Sequence, residues 1–77
     1  MHEFKIGLSS FQQVQGFVSL AVRQPFDVMV GNDHQRINGK DIMGMFCLDY
    51  SLPVRVSVEC SPEEFDRFRQ EATPYLL

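Results

Sequence analysis

Four stretches of the sequence alternate between apolar and polar residues, the period-two pattern of a β-strand that buries one face. They cover residues 2–8, 26–30, 35–37 and 54–59. The last stretch is the most regular: its three valines are predicted to face a core, and its polar residues, Ser57 among them, are predicted to face solvent. The pattern therefore predicts four strands.

Apolar residues recur at helical spacing between the first two strands. Ser10 and Gln13 fit a capping box, so a helix is predicted over residues 11–23. Its inward stripe is predicted to contain Phe11, Val14, Phe17, Val18, Ala21 and Val22. A last helix is predicted after Ser61, because a serine, a following proline and Glu64 three residues after the serine are all helix-start signals.

The middle of the chain predicts a short helix whose apolar residues cannot all be buried. Asn38-Gly39 tolerates the left-handed backbone of a tight turn, and Asp41 can accept hydrogen bonds from the free amides of a helix start. Met45 and Leu48 are predicted to face the core. Outward apolar side chains with a polar rim are typical of a binding surface. We call this surface the docking face; its predicted residues are Lys40, Asp41, Ile42, Met43 and Phe46.

The predicted order is strand, helix, strand, strand, helix, strand, helix, in one domain over residues 1–77. Each strand has one polar face. We therefore expect an α+β fold: a four-stranded antiparallel-type sheet with three helices on one face and the other face open to water. A chain of this length builds one modest core, so any site is expected on its surface.

Composition argues against several functional classes. The net charge is −3 and no run of Lys or Arg stands out, so a nucleic-acid partner is not expected. No stretch approaches a membrane span and residues 1–5 do not resemble a signal peptide, so we expect a cytoplasmic protein. Cys47 and Cys60 are predicted to be reduced and buried. They show no metal-ligand spacing with His2 and His34, which we expect on the surface, so neither a metal nor a cofactor is predicted.

The central segment resembles a signature of the HPr family, the small histidine-containing phosphocarriers of the bacterial sugar phosphotransferase system. It reads Ile37-Asn38-Gly39-Lys40-Asp41-Ile42-Met43-Gly44-Met45-Phe46-Cys47-Leu48. The family's signature is Val-Asn-x-Lys-Ser-Ile-Met-Gly-x-Met-x-Leu. The predicted order of elements also matches the family's open-faced β-sandwich from end to end. The resemblance implies an HPr-like fold, a bacterial and cytoplasmic setting, and a protein partner that is a regulator or a phosphotransferase-system component.

The loop that carries the phosphorylated histidine in this family is altered here. The family's loop reads Gly-x-His-Ala-Arg-Pro, and the corresponding residues, which we call the Ser10 loop, are Leu8-Ser9-Ser10-Phe11-Gln12-Gln13. Ser10 stands at the position of the histidine, Gln12 at that of the phosphate-pairing arginine and Gln13 at that of the proline. A serine needs a base to activate it, whereas a neutral imidazole is a nucleophile near pH 7. The resemblance therefore implies a degenerate phosphorylation loop, with no catalytic residue and no enzymatic activity.

Asp41 stands where some family members carry a regulatory serine, whose phosphorylation turns the carrier into a regulator of carbon metabolism. Two interpretations are open. Asp41 simply caps the central helix, or it also places a permanent negative charge where the phosphate would sit. Mimicry would be partial, because a carboxylate carries less charge and fewer oxygens than a phosphate.

Three functions are open on the sequence. The first is a non-catalytic HPr-like regulatory domain that engages a protein partner through the docking face. The alternative is a phosphocarrier of the phosphoenolpyruvate-dependent sugar phosphotransferase system, acting through Ser10 or a histidine. The third is an accessory domain of metabolism unrelated to sugar uptake, because a fold does not fix a function.

Overall fold

The computed structural model describes all 77 residues and contains four strands and three helices in the predicted order. In chain order the elements are strand β1 (His2–Ile6), helix α1 (Phe11–Val22), strand β2 (Val28–Gly31), strand β3 (Arg36–Asn38), helix α2 (Ile42–Phe46), strand β4 (Val54–Val58) and helix α3 (Pro62–Glu71), followed by a short 3-10 helix (Thr73–Tyr75). The strands form one antiparallel sheet in the order β1-β4-β2-β3. The helices cover one face of the sheet and the other face is open, so the predicted α+β fold is confirmed.

The core lies between the sheet and the helices. The three valines of β4 are fully buried, as their alternation predicts. The ring of Phe68 on α3 packs against the rings of Phe4, Phe17 and Phe26, with centroids 5.7, 6.2 and 5.7 Å away. Aromatic pairs at such distances contribute about 0.5–1.5 kcal/mol each beyond the area they bury. Phe68 therefore links α3 to β1, α1 and the segment before β2.

The predicted inward stripe of α1 is wrong at both ends. Phe11 and Val22 are exposed, whereas Phe17 and Ala21 are fully buried. Leu20, which the predicted stripe omitted, is also buried. Phe17 and Ala21 lie four residues apart on the same side of the helix and form the centre of the buried arc. The two end residues fall outside that arc.

Ser57 and Cys47 also differ from the predictions. Ser57 belongs to the open face, yet it is buried because it lies on an inner strand between Glu3 of β1 and Met29 of β2. Its hydroxyl donates a hydrogen bond to the Glu3 carboxylate (3.0 Å). Cys47 is exposed because it follows the last residue of α2, and Cys60 is half-buried.

Gly39 sets how closely the segment before α2 approaches β2. Its N–H donates to the carbonyl of Val28 (2.7 Å). A Cβ at this position would lie 2.9 Å from Cγ1 of Val28 and 3.0 Å from Cγ2 of Val30. A turn forms at residues 39–40, where the N–H of Asp41 donates to the carbonyl of Asn38 (3.0 Å), but no residue in the chain has a positive φ, so the turn is not left-handed. Glycine is needed here because two buried valines leave no room for a side chain.

Two side-chain hydrogen bonds hold α2 against its neighbours. The hydroxyl of Tyr50 donates to the carbonyl of Met45 in α2, and burial raises the pKa of Tyr50 to about 12. The ammonium of Lys40 donates to the carbonyl of Gln24 (2.9 Å), just past the end of α1. A cation is favoured there by the negative end of the helix dipole. These bonds fix α2 relative to α1 and to the loop before β4.

Replacing Gly39 with alanine is expected to lower the free energy of unfolding by about 1–3 kcal/mol, because the added methyl group overpacks against the two valines. Gly7→Ala is the matched control. The atom nearest its added Cβ is the far end of the exposed Leu77 side chain, which can move. We expect that control to change stability by less than about 0.5 kcal/mol. Urea denaturation measures both values, and equal effects would contradict the close packing at Gly39.

Stability is expected to decrease at alkaline pH in a way that depends on Tyr50. The unfolded tyrosine loses its proton near pH 10, whereas the folded one keeps it up to about pH 12. The folded pKa is raised, so this stabilisation is fully present below pH 10 and is lost as the pH rises through 12. Because Tyr50 is only partly buried, we discount the contribution to about 1 kcal/mol.

The measurement is urea denaturation of the wild type and of Tyr50→Phe below pH 10 and near pH 12. The stability of the wild type relative to the variant should fall over that range. A difference that does not change with pH would contradict the raised pKa of Tyr50.

Candidate functional site

Asp41 caps helix α2, as the sequence predicts. Its Oδ1 atom accepts a hydrogen bond from the backbone N–H of Met43 (3.1 Å), and its carbonyl accepts one from the N–H of Met45 (2.9 Å). Its backbone is extended, with φ −97° and ψ 102°, the conformation that cap residues adopt. The residue is exposed, so its charge faces solvent at the edge of the docking face.

The apolar residues of α2 divide between core and solvent. Met45 is fully buried and Leu48, just beyond the helix, is also buried, as predicted. Met43 is 71% exposed and Phe46 is 37% exposed. Ile42 is half-buried and packs against the core, so its predicted outward position is wrong in part. Met43 and Phe46 are therefore the apolar side chains that the docking face presents to solvent.

The ring of Phe46 stacks on the ring of Phe11. The centroids are 4.6 Å apart and the ring planes differ by 14°. Phe11 is the first residue of α1 and is 57% exposed, so the stack joins the start of α1 to the end of α2 at the surface. Phe11 extends the docking face, and sequence reasoning missed it. The position of Phe11 around the helix axis, outside the buried arc of α1, was a signal that it is exposed. No pattern in the sequence predicts its stacking partner.

An open groove of about 540 Å³ lies beside this stack. Ser10 and Phe11 line it on the side of α1, and Phe46 and Tyr50 line it on the side of α2 and the following loop. The Ser10 loop and the docking face are therefore neighbours on one side of the molecule. About a third of the chain lies between them in the sequence, so only the fold brings them together.

The polar side chains of the Ser10 loop bond within the loop. Ser10 Oγ accepts a hydrogen bond from the N–H of Gln13 (3.2 Å) and caps α1. The Gln13 side-chain oxygen accepts from the N–H and the hydroxyl of Ser9 (2.7 and 3.1 Å), not from the N–H of Ser10, so only half of the predicted capping box forms. Gln12 is exposed. The Ser10 oxygen is thus an acceptor that stabilises the start of the helix.

No imidazole and no carboxylate lines the groove beside Ser10. His2 is half-buried in β1 and stacks on Phe65, with centroids 4.6 Å apart, so it is not the free surface residue that we expected. His34 is exposed in the turn between β2 and β3, as expected. Tyr50 is the titratable side chain of the groove; its hydroxyl donates to a backbone carbonyl and its pKa is about 12. The groove therefore holds no side chain suited to general-base work near neutral pH.

Lys40 contributes less to the docking face than the sequence indicates. Lys40 is half-buried, and its ammonium donates a hydrogen bond to the carbonyl of Gln24. Asp41 is exposed by comparison. The charge that the docking face presents to solvent is therefore mainly the negative charge of Asp41.

The remaining groups that could bind metal or carry charge are dispersed. Cys47 and Cys60 are free thiols, and no three His, Cys, Asp or Glu side chains are grouped so that they could hold a metal ion. In the loop after α2, hydrogen bonds from the N–H and hydroxyl of Ser51 lower the pKa of the Asp49 carboxyl. None of the helices is both long enough and apolar enough to span a membrane.

The fold is similar to that of a solved HPr structure. Compared with the crystal structure of HPr-C-His from Thermoanaerobacter tengcongensis, the chain has a TM-score of 0.71 and 26% sequence identity. The alignment covers 91% of this chain and 89% of that chain. No protein-family model matches the sequence, and no curated protein matches it. The chain therefore has the HPr-like fold that the resemblance implies.

Proposed function

We propose that this protein is a non-catalytic, HPr-like regulatory domain that binds a protein partner through the docking face. The observation that carries the proposal is the exposed apolar surface formed by Met43, Phe46 and Phe11. The proposal keeps the bacterial cytoplasm as the setting that the resemblance implies.

The surface chemistry supports protein binding. A methionine side chain is flexible and polarizable and adapts to different partners, and aromatic residues are enriched in interface cores. The Phe11–Phe46 stack holds two rings in one orientation before a partner arrives, so less side-chain freedom is lost on binding. Asp41 places one carboxylate at the rim, where it would favour a cationic group on the partner.

Asp41 has two roles in the proposed function. As the cap of α2, it stabilises the short helix that presents Met43 and Phe46. As an exposed carboxylate, it also supplies a permanent negative charge at the position that the resemblance assigns to a regulatory serine. The geometry of the cap supports the first role directly, and phosphate mimicry is the part of the proposal that a binding measurement has to decide.

The contacts of the Ser10 loop support a non-catalytic role. The Ser10 oxygen accepts a hydrogen bond from the helix, and the groove beside it lacks an imidazole or a carboxylate. A hydroxyl without a neighbouring base is a poor nucleophile. The alternative, a phosphocarrier of the sugar phosphotransferase system, needs such a base or a histidine at this place. An accessory role outside sugar uptake would use the same docking face with a different partner.

Met43→Ala is expected to weaken binding of the cognate partner roughly tenfold or more, because contacts at the centre of an interface carry most of the affinity. The melting temperature should change by less than roughly 3 °C, since Met43 makes little contact with the core. Leu52→Ala is the matched control: Leu52 is also 71% exposed, but it lies in the loop before β4 and outside the docking face.

The partner is first captured on the immobilised wild type and identified by mass spectrometry, and binding of each variant is then measured by calorimetry. Phe46→Ala should behave like Met43→Ala, with an added loss of stability of up to about 1 kcal/mol from the broken ring stack. A large loss of stability in Met43→Ala, or equal binding by all three variants, would contradict the proposed surface.

The protein is expected to take up no phosphoryl group from the phosphotransferase system. The assay incubates it with phosphoenolpyruvate and the phosphoenolpyruvate-dependent first enzyme of that system, with an authentic HPr as the positive control. Intact-protein mass spectrometry then reads phosphorylation. Stoichiometric uptake by this chain would favour the carrier alternative, and loss of that uptake in Ser10→Ala would assign the site.

A further inference from the structure

A row of cations crosses the open face of the sheet, on the side opposite the helices. The strand register pairs Lys5 of β1 with Arg55 of β4, Arg55 with Gly31 of β2, and Gly31 with Arg36 of β3. Three of the seven Lys and Arg residues of this acidic chain thus lie in one transverse row. Gly31 contributes no side chain, so the row is open between Arg55 and Arg36.

The row contains a like-charge contact that one salt bridge offsets in part. Like charges on directly opposite residues of neighbouring strands destabilise a sheet, and Lys5 faces Arg55 in that way. Arg55 is held by Asp33, with 2.7 Å between guanidinium and carboxylate. Lys5 and Arg36 form no ion pair. An anion bound beside Arg36 and Arg55 would relieve part of this repulsion.

Two adjoining cavities lie on the same face. The smaller, of about 140 Å³, is lined by Arg36, Arg55 and Ser57. The larger, of about 570 Å³, is lined in part by the apolar residues Phe26 and Met29, and the ring of Phe26 also packs on Phe68 on the helical side. Met29, Arg36 and Ser57 border both cavities, so the cationic and apolar parts are continuous. Sites for small ligands combine an apolar wall with a few polar anchoring groups in this way.

The charge on the open face changes from positive to negative along the strands. Asp27 and Glu59 line the far end of the larger cavity, and Glu59 lies four residues along β4 and its extension from Arg55. That spacing is about 13 Å in a strand. The acidic end repels an anionic group and the arginine end attracts it, so a ligand with one charged end has a preferred orientation.

We infer that the open face of the sheet binds a small amphipathic anion. Its apolar body lies over Met29, at the edge of the sheet next to Phe26, and its anionic group lies between Arg36 and Arg55. Two carboxylates oppose the ligand: that of Glu3, which borders the smaller cavity and accepts a hydrogen bond from the hydroxyl of Ser57, and that of Asp33, which is paired with Arg55. This site lies on the other side of the sheet from the docking face and does not depend on it.

The test is a titration of the full ¹⁵N-labelled chain with 4-phenylbutyrate, followed by amide chemical shifts in NMR spectra. Saturable shifts are expected at residues 29, 31, 36, 55 and 57. The affinity for the neutral analogue 4-phenylbutanol should be lower by roughly fivefold or more, because this analogue lacks the charge-assisted hydrogen bonds.

Three variants separate the proposed site from general attraction of an anion. Arg36→Gln should weaken binding roughly fivefold, since it removes the arginine that has no competing carboxylate. Glu3→Gln should strengthen binding roughly twofold, since it removes one opposing charge and keeps an acceptor for Ser57. Arg23→Gln removes one exposed charge at the end of α1 and should bind like the wild type.

Shifts centred on Phe11, Met43 and Phe46 would overturn the inference, because they would place the ligand on the docking face. Unchanged affinity in Arg36→Gln would overturn it as well. So would an equal loss in Arg36→Gln and Arg23→Gln, which would mean that only the net charge of the protein matters.

Discussion

Helix α2 is too short to bury all of its apolar residues. Its five residues make about one and a half turns, and Met45 alone is fully buried. With Met45 fixed, helical geometry places Ile42 about 60°, Phe46 about 100° and Met43 about 160° from it around the axis. Their exposure follows that order: Ile42 is half-buried, Phe46 is partly exposed and Met43 is mostly exposed. The docking face is a consequence of this geometry.

The position of α2 depends on contacts outside the helix. Gly39 lets the preceding segment pack on two buried valines, and the side chains of Tyr50 and Lys40 donate hydrogen bonds to the carbonyls of Met45 and Gln24. The same arrangement brings the end of α2 to the start of α1, where Phe46 meets Phe11. The helical side of the molecule therefore carries an apolar surface with one carboxylate. The opposite side carries arginines and a cavity that is apolar only in part, so the two faces suit different kinds of ligand.

The fold, and the part of the docking face that lies on α2, were predictable from local sequence patterns. The valine alternation of β4 and the capping signals at Ser61 and Asp41 act over a few residues, and the structure contains all three. The errors arose where distant segments meet. Spacing along α1 does not show that the Phe11 ring stacks on Phe46 of α2, and alternation along β4 does not show that two strands flank Ser57.

The central claim is that α2 holds Met43 at the surface while Met45 anchors the helix in the core. Paramagnetic relaxation of the methionine methyl resonances by a soluble spin label measures this directly, with both residues observed in one spectrum. The account predicts strong relaxation of the Met43 methyl group and little relaxation of the Met45 methyl group. Equal protection of both groups would contradict it, because Met43 would then be buried and the docking face would lose its most exposed apolar residue.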